Sequence, residues 1–387
     1  MTCIGRNFLH CLCWNNIKMP DKILFLTLRV FSATGGIEKV CRCVCKALSD
    51  LSAKEMPSEL TVYSMYDEEK DADKKYLTSA FFKGFGEHKF HFAKSAIKKG
   101  CDSRVVILSH INLLMIGYII KLFSPATKII LFAHGIEVWE PIGSFKNKML
   151  KKCDKILCVS EFTRQKMQQL FGLPAEKLTV LNNCLDPFLI QHSQPRKDEN
   201  LMARYGFATT DIILLTLTRL SSKEQYKGYD HVMESIYSFK EQYPQIKYLI
   251  VGKYDDDEKQ RLDTIIEKLS LQCQIIFTGY IPDEELPKHY QLADLYVMPS
   301  KKEGFGIVFI EAMHYGLPVI AGNKDGSVDA LLQGRLGTLV NPDDQSEING
   351  AIQKVMLNGN GHRPNHELLM LHFGFEVYKQ KLKNILQ

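Results

Sequence analysis

The chain has 387 residues and a formal net charge of +5, with 45% hydrophobic and 24% charged residues. This length suits two domains of about 150–200 residues each, and the composition excludes a disordered or collagen-like protein. The longest apolar run, 105–120, contains Ser109, His110 and Asn112 and is too short to span a bilayer. Eleven cysteines without an export signal favour reduced thiols in a cytosolic compartment.

The first residues, 1–18, lack the apolar core and small-residue cleavage site of a secretory signal, and we expect a disordered extension there. A strand predicted over 22–31 then leads through Gly35 and Gly36 into a helix predicted over 37–51. Two glycines at a helix N-terminus let a ligand approach the free N–H groups, which attract anions. A plain strand-to-helix turn explains the same two glycines equally well.

Two buried strands of the first half, predicted over 105–108 and 129–132, end at polar residues. Ligands of open parallel sheets bind at the carboxyl ends of strands, so His110 and His134 are candidate ligand contacts. Of the two, His134 is the stronger candidate because it lies between a buried strand and a glycine.

Charge is unevenly divided along the chain. Residues 1–186 contain 27 basic and 18 acidic residues, a charge of +9, whereas the remainder contains 22 basic and 26 acidic residues, a charge of −4. The segment 74–100 interleaves lysines with Phe81, Phe82, Phe85, Phe90 and Phe92. This pattern favours an anionic membrane surface, a lipid-linked phosphate or an acidic glycan as partner, and no nucleic acid. A solvated face with some core aromatics fits 74–100 equally well.

The second half opens after a polar linker predicted over 191–210. A strand over 212–217 is followed by a loop with two cations, Arg219 and Lys227, which suit a diphosphate as a planar fork and a point charge. The acidic run 255–257 could be mistaken for a metal site. It precedes a predicted helix, however, and acidic residues at a helix N-terminus are stabilised by the positive end of the helix dipole. We therefore predict no metal. Tyr280 and Ile281 follow a strand and form the expected edge for a nucleotide base.

The most informative stretch is 293–332. A strand over 295–299 leads through Glu303, Gly304, Phe305 and Gly306 into a helix that starts at Ile307 and is followed by a second buried strand. Such a turn places free N–H groups where a diphosphate would bind. Two carboxylates flank this anion site, those of Glu303 and Glu311. A diphosphate would repel carboxylates that touch it, so these two groups are better suited to accept hydrogen bonds from sugar and ribose hydroxyls. A solvated helix position is the alternative for Glu311.

These residues resemble a known family. Glu303-Gly-Phe-Gly-x4-Glu311-Ala, followed by Gly316-Leu-Pro-Val-Ile, is similar to the E-x7-E donor site of retaining glycosyltransferases of family 4, nucleotide-sugar enzymes of the GT-B fold. The resemblance implies an α/β protein with two Rossmann-like domains, 19–190 and 211–370, that face each other across a cleft. It also implies a C-terminal helix, 371–387, that returns to the first domain.

The resemblance further implies a function. A hexosyl-type sugar would pass, with retention, from a UDP or GDP sugar to a glycan or lipid-linked acceptor, without metal or other cofactor. We expect a cytoplasmic enzyme of cell-envelope polysaccharide or glycolipid synthesis, docked peripherally on the inner face of the plasma membrane. The alternatives are a GT-B phosphorylase or sugar-nucleotide epimerase and, from another class, an inactive sugar-nucleotide-binding protein.

Roles for single residues follow from the resemblance. It assigns catalysis to Arg219, Lys227, His134 and Glu303. The implied donor-binding set is Gly35, Gly36, Arg219, Lys227, Tyr280, Ile281, Glu303, Gly304, Phe305, Gly306, Ile307 and Glu311. The sequence departs from the family pattern at 325–329, where Asp325-Gly326-Ser327-Val-Asp329 replaces the usual Gly-Gly with a downstream Glu.

Overall fold

The computed structural model describes residues 21–78, 81–190, 197–358 and 363–387. The expected extension, 1–18, and the first part of the predicted linker, 191–196, lie outside the described residues. Within the described ranges, no helix is long and apolar enough to cross a membrane.

The first domain is built on a parallel sheet of seven described strands in the order β3-β2-β1-β4-β5-β6-β7. Its strands are β1 (Asp21–Thr27), β2 (Ser58–Ser64), β3 (Phe82–Gly84), β4 (Val105–Leu108), β5 (Lys128–Ala133), β6 (Lys155–Cys158) and β7 (Leu178–Val180). Its helices are α1 (Gly36–Lys54), α2 (Lys89–Cys101), α3 (Leu114–Phe123), α4 (Ser144–Leu150) and α5 (Glu161–Phe171). Apolar clusters cover both faces of the sheet, which is why β4 is buried along its whole length.

The second domain repeats this plan with a parallel sheet of six described strands in the order β10-β9-β8-β11-β12-β13. Its strands are β8 (Ile212–Leu217), β9 (Ile246–Val251), β10 (Ile275–Gly279), β11 (Leu295–Met298), β12 (Val319–Gly322) and β13 (Thr338–Val340). The helices that follow the first domain are α6 (Glu199–Tyr205), α7 (Tyr229–Phe239), α8 (Asp256–Leu269), α9 (Leu286–Leu292), α10 (Ile307–His314), α11 (Ser327–Ala330), α12 (Gln345–Asn358), α13 (His366–Phe373) and α14 (Phe375–Leu386).

Strand order fixes where each domain can bind a ligand. The chain reverses direction across the sheet between β1 and β4 in the first domain and between β8 and β11 in the second. In open parallel sheets the crevice beyond the carboxyl ends of such strands is the binding site, because the connections there leave to opposite faces. The glycine pair before α1 and the loops after β8 and β11 all lie at these switch points.

The last two helices belong to different domains. Leu369 and Phe373 of α13 are buried in the second domain, and the rings of Phe305 and Phe373 pack edge-on with centroids 5.5 Å apart. After Gly374, α14 buries its apolar face in the first domain against α1. The structure thus confirms the predicted pair of parallel α/β domains and the helix that returns to the first one.

Two boundaries differ from the sequence prediction. The first strand ends at Thr27 rather than at 31, because the buried carboxylate of Asp67 accepts hydrogen bonds from the backbone N–H groups of Val30 and Ser32, at 2.7 and 2.9 Å. The predicted linker, 191–210, contains α6, which buries Leu201 and Met202 in the core of the second domain. Glu199, Asn200 and Arg204 form the exposed face of this helix.

The basic and aromatic segment 74–100 combines features of the two interpretations that its sequence left open. Phe82 is buried in the apolar cluster on one face of the first sheet, and Phe85 and Phe92 are buried in the cluster on the other face. Phe81 and Phe90 are exposed, and Phe90 keeps 88% of its surface accessible. Only part of this segment therefore offers aromatic rings to a membrane.

Candidate active site

A cleft of about 600 Å³ lies where the switch points of the two domains face each other. Both domains contribute to its wall, and most of the predicted site residues are found there. These are Gly35, Gly36, His134, Arg219, Lys227, Tyr280, Ile281, Glu303, Phe305, Gly306 and Ile307. Of the other two predicted residues, Gly304 packs against the backbone of the first domain, and Glu311 lines a small adjoining cavity together with Lys39 and Ile307, which also line the cleft.

Two helices begin at the cleft without a side-chain cap. Gly35 precedes α1, and Gly306, with a φ of +85°, precedes α10. A side chain at Gly306 would be strained by this φ, and its Cβ would come within 2.3 Å of the ring of Phe309. The uncapped first turns leave backbone N–H groups available to an anion on both sides of the cleft.

Gly304 makes a contact between the domains that the sequence did not predict. A Cβ at Gly304 would lie 2.0 Å from the carbonyl oxygen of His134, and one at Gly135 would lie 2.6 Å from Cα of Gly304. The glycine therefore allows the loop after β11 to touch the backbone of the first domain. In this arrangement Gly304 contacts the opposite domain, and its contact with a donor remains a prediction.

Arg219 and Lys227 come from the loop between β8 and α7. The guanidinium of Arg219 pairs with Glu224 and is largely exposed, whereas Lys227 is mostly buried. Lys227 Nζ lies 2.5 Å from Oε2 of Glu303. Burial alone would lower the pKa of Lys227, but the negative charge of Glu303 outweighs it and raises that pKa above its ordinary value. The site therefore keeps a charged ammonium group at its wall.

His134 is held at the end of β5 by three contacts. Its Nε2 lies 2.7 Å from the carbonyl oxygen of Ser109, its backbone N–H donates to Oε1 of Glu137 at 2.6 Å, and its ring stacks on that of Phe132. Because a carbonyl oxygen can only accept, Nε2 carries the proton of the neutral ring and Nδ1 is the acceptor. The contact fixes the tautomer of a histidine that lines the cleft.

Glu311 lies at a small cavity that adjoins the cleft and is only 3% exposed. Its Oε1 is 2.7 Å from Lys39 Nζ of α1, and its Oε2 accepts a hydrogen bond from the Tyr290 hydroxyl at 2.9 Å. Burial would lower the pKa of Lys39, but the charge of Glu311 raises it overall. Glu311 is thus paired with a lysine of the opposite domain, and its ribose contact remains a prediction.

Sequence reasoning missed Lys39 and left the role of Asp325 open. Lys39 lies in the first turn of α1, three residues after Gly36, and lines the cleft. The sequence feature that could have identified Lys39 is its position as a basic residue at a helix N-terminus, where the helix dipole disfavours positive charge. An unfavourable charge at such a position indicates a specific partner.

Asp325 stabilises the loop that carries Glu303 through hydrogen bonds. Its carboxylate accepts hydrogen bonds from the Ser300 hydroxyl at 2.5 Å, the Glu303 N–H at 2.7 Å and the Ser327 N–H at 2.9 Å. Burial, together with the charge of Glu303, raises the pKa of Asp325 to about 6. The departure from the family pattern therefore places a buried acid directly behind the predicted sugar-binding carboxylate.

The acidic run 255–257 begins α8. Oδ1 of Asp255 accepts a hydrogen bond from the N–H of Glu258 at 2.8 Å, and Oδ2 accepts one from the N–H of Ser222 at 3.0 Å. These backbone contacts lower the pKa of Asp255. The residue acts as a helix cap in the structure, as acidic residues at a helix start commonly do.

Comparison with known proteins adds family matches to this geometry. The family described as Glycosyltransferase Family 4 matches residues 34–187, and that described as Glycosyl transferases group 1 matches residues 197–366. The first match covers most of the first domain and the second covers most of the second domain.

Characterised relatives are similar over part of the chain. A GDP-mannose-dependent alpha-(1-6)-phosphatidylinositol monomannoside mannosyltransferase of Mycolicibacterium smegmatis is 29% identical over 60% of this chain and 61% of its own length. Mannosylfructose-phosphate synthase of Agrobacterium fabrum is 26% identical over 53% of this chain and 45% of its own length. The chain therefore matches about half to three-fifths of these two relatives.

Solved structures are similar over nearly the whole chain. HepE of Anabaena, in complex with UDP and glucose, has a TM-score of 0.78 at 19% identity and covers 95% of this chain and 99% of its own. Sucrose-phosphate synthase of Thermosynechococcus elongatus has a TM-score of 0.74 at 17% identity and covers 95% and 98%. At such identities the likeness shows the fold, and it confirms the GT-B prediction. With both domains matched and the fold shared, the chain belongs to glycosyltransferase family 4.

Proposed function

We propose that the protein transfers a hexosyl sugar from a nucleoside diphosphate sugar to a glycan or lipid-linked acceptor, with retention at the anomeric carbon. The observation that carries this proposal is the cleft, in which Arg219, Lys227 and two uncapped helix N-termini converge. Converging positive charge is what the departure of a diphosphate requires, because negative charge grows on the leaving oxygens.

Each residue of the cleft has its own role in the proposed reaction. Lys227 and the N-terminus of α10 stabilise the leaving diphosphate, Glu303 accepts hydrogen bonds from the sugar hydroxyls, and His134 contacts the sugar from the first domain. The bond from the anomeric carbon to the diphosphate breaks as the acceptor oxygen bonds to the same face. The acceptor proton passes to the leaving phosphate oxygen. Since protein cations neutralise the diphosphate, the step is expected to be independent of metal.

The donor is proposed to be a GDP or UDP sugar. The mannosyltransferase of Mycolicibacterium smegmatis uses GDP-mannose, and HepE of Anabaena binds UDP with glucose. Tyr280 is half exposed at the cleft edge after β10, with the Lys253 ammonium 4.9 Å from its ring centroid. An exposed ring beside a cation offers a stacking surface for either base.

The test is a donor screen followed by product analysis. Thermal shifts with UDP, GDP, ADP and their common sugars should identify one nucleotide that stabilises the protein. Incubation of the matching sugar donor with candidate acceptors should then give a product whose anomeric proton shows retention by NMR, with EDTA present. Transfer to free phosphate would favour a phosphorylase, and isomerised donor an epimerase. Tight binding without turnover of any donor would favour an inactive binding protein.

The acceptor is proposed to be reached at an anionic membrane surface in envelope polysaccharide or glycolipid synthesis. Support comes from the charge of +9 in residues 1–186 and from exposed apolar side chains on three helices of the first domain. These side chains are Phe90 on α2, Met115, Leu122 and Phe123 on α3, and Phe145 on α4. Peripheral docking on the cytoplasmic face would bring the cleft to a lipid-linked acceptor.

A further inference from the structure

The ion pair between Lys39 and Glu311 has no part in the chemistry proposed above. It joins the first turn of α1 to α10, across the two domains, with 2.7 Å between Nζ and Oε1. The Tyr290 hydroxyl occupies the other carboxylate oxygen at 2.9 Å. Both oxygens of a nearly buried carboxylate are therefore already hydrogen-bonded by protein groups.

This arrangement conflicts with the ribose contact that Glu311 is expected to make. Ribose hydroxyls need an accessible acceptor oxygen, and Glu311 is 3% exposed, at a small cavity that adjoins the cleft. Each oxygen has a second lone pair, but with only 3% of the side chain exposed a ribose can reach it only if one of its two partners moves. Tyr290 is packed in the core of the second domain, and its ring stacks on that of Tyr315 with 5.4 Å between the ring centroids. Lys39 lines the cleft, is 19% exposed and has a flexible stem.

We propose that Lys39 is a donor-responsive positioning residue, which holds Glu311 until the ribose hydroxyls of a nucleoside diphosphate take its place. The inference rests on the proposed function, because it requires that the cleft bind such a nucleotide. The released ammonium group remains beside Gly35 and Gly36, at the wall where the diphosphate would lie. In this exchange, hydrogen bonds from the ribose to Glu311 replace the ion pair between the domains. A nucleotide without ribose hydroxyls cannot make these bonds and would leave Lys39 on Glu311.

A second contact between the domains supplies a control for this proposal. Arg42, one turn after Lys39 on α1, lies 3.4 Å from Asp283 of the second domain. Loss of Arg42 weakens the contact between domains but leaves Lys39 on Glu311. Lys46, farther along α1, pairs with Asp50 of the same helix at 2.7 Å. Its replacement removes a lysine from α1 without any effect on the pair.

The experiment compares ribonucleotides with their 2′,3′-dideoxy forms. Calorimetric Kd values for UDP and dideoxy-UDP, and for GDP and dideoxy-GDP, give the ratio by which each variant prefers an intact ribose. The ratio is the readout because altered contact with the base affects both members of each nucleotide pair equally and therefore cancels. In Lys39→Met the ratio should rise roughly tenfold, as expected when one charged competitor is removed. It should stay within about twofold of wild type in Arg42→Met and Lys46→Met.

Each outcome decides between clear alternatives. An unchanged or smaller ratio in Lys39→Met would overturn the exchange, and an equal rise in Arg42→Met would show that domain loosening causes the effect. If Lys39→Met does not fold, Lys39→Gln replaces it, with a smaller rise expected because its amide can still donate to Glu311. A wild-type protein that binds neither UDP nor GDP would overturn the proposed function itself, which distinguishes the two failures.

Discussion

Two lysine–glutamate pairs form the core of the site, and they are built differently. The pair of Lys227 and Glu303 lies within the second domain at the cleft wall, with 2.5 Å between Nζ and Oε2. The pair of Lys39 and Glu311 crosses the domains below that wall. The first pair can act on a donor without domain movement, whereas the second depends on how the domains meet. The two glutamates of one short motif therefore differ in what limits their access to a ligand.

The supports of the two pairs also differ. The carboxylate of Asp325 accepts a hydrogen bond from the backbone N–H of Glu303. This bond holds in place the loop that carries the first pair. Glu311 is on a helix and has Tyr290 as its second partner. From this difference we expect catalytic losses when the first pair is changed and binding losses when the second is changed.

The largest effect is expected for Lys227→Ala. Leaving-group charge grows in the transition state, so loss of this ammonium should lower kcat by about 10²–10³-fold with little change in KM for the donor. Steady-state kinetics with the donor identified by the screen measure both constants. Lys223→Ala, on the same loop but outside the cleft lining, is the matched control. A loss confined to KM would contradict the assignment of Lys227 to the leaving group.

The support of the first pair is tested by the pH dependence of stability. The pKa of Asp325 is raised from 3.8 to about 6, so the folded state binds more protons than the unfolded state between these values. The stabilising contribution is fully present below about pH 4 and is lost as pH rises through about 6, a change of roughly 3 kcal/mol at most. Urea unfolding from pH 4 to 7 should show this slope in wild type.

Asp325→Asn removes the titrating group while it keeps one acceptor oxygen for the loop. Its free energy of unfolding should vary less with pH across the same window than that of wild type. Glu241→Gln, at an exposed acid of the second domain, serves as the control. An unchanged slope in Asp325→Asn would assign the pH dependence to other groups.

The cross-domain pair is tested by Glu311→Gln. A ribose contact is shared by ground and transition states, so KM for the donor should rise about tenfold while kcat changes little. The variant should also lose about 1–2 kcal/mol of stability, because Lys39 keeps its charge in a mostly buried position. Kinetics and urea unfolding measure the two effects. A fall in kcat as large as that of Lys227→Ala would remove the difference between the pairs.

The smallest effect concerns the outer surface of the first domain. Phe90, Lys94 and Lys98 recur at a spacing of four on α2 and share one exposed face. Wild-type protein should sediment with anionic liposomes at low salt and be released as salt increases. Phe90→Ser combined with Lys94→Gln and Lys98→Gln should reduce the bound fraction a few-fold. Leu371→Ser, at an apolar position of the second domain that is 65% exposed, should not. Wild-type protein that stays in the supernatant would indicate a soluble acceptor.

Much of the fold could be predicted because parallel strands buried on both faces appear as continuous apolar runs. The strands at 105–108 and 212–217 are found at these bounds. Boundaries failed where a side chain distant in sequence decides them. Asp67 ends the first strand by capturing backbone groups beyond it. The carboxylate that does this lies 37 residues from Val30, and no local pattern reveals it.

The site was predictable where a single loop carries the signal. The cations after β8 and the glycine-rich turn before α10 lie on one wall, as expected from their positions after neighbouring strands. Partnerships between the domains were not predictable. Lys39 and Glu311 are 272 residues apart, and their contact depends on how two separately folded domains meet. The contact of Gly304 with the backbone of His134 is another such partnership, and it leaves the predicted donor contact of Gly304 untested.

The most direct test is a crystal structure with UDP or GDP bound, in which the distance between Lys39 Nζ and Glu311 Oε1 is measured. This distance is now 2.7 Å. The account predicts a diphosphate beside Lys227 and the N-terminus of α10, ribose hydroxyls on Glu311, and a lysine-to-glutamate distance beyond about 4 Å, the limit of an ion pair. A nucleotide bound in the cleft with its ribose elsewhere, while Lys39 and Glu311 remain paired, would contradict it.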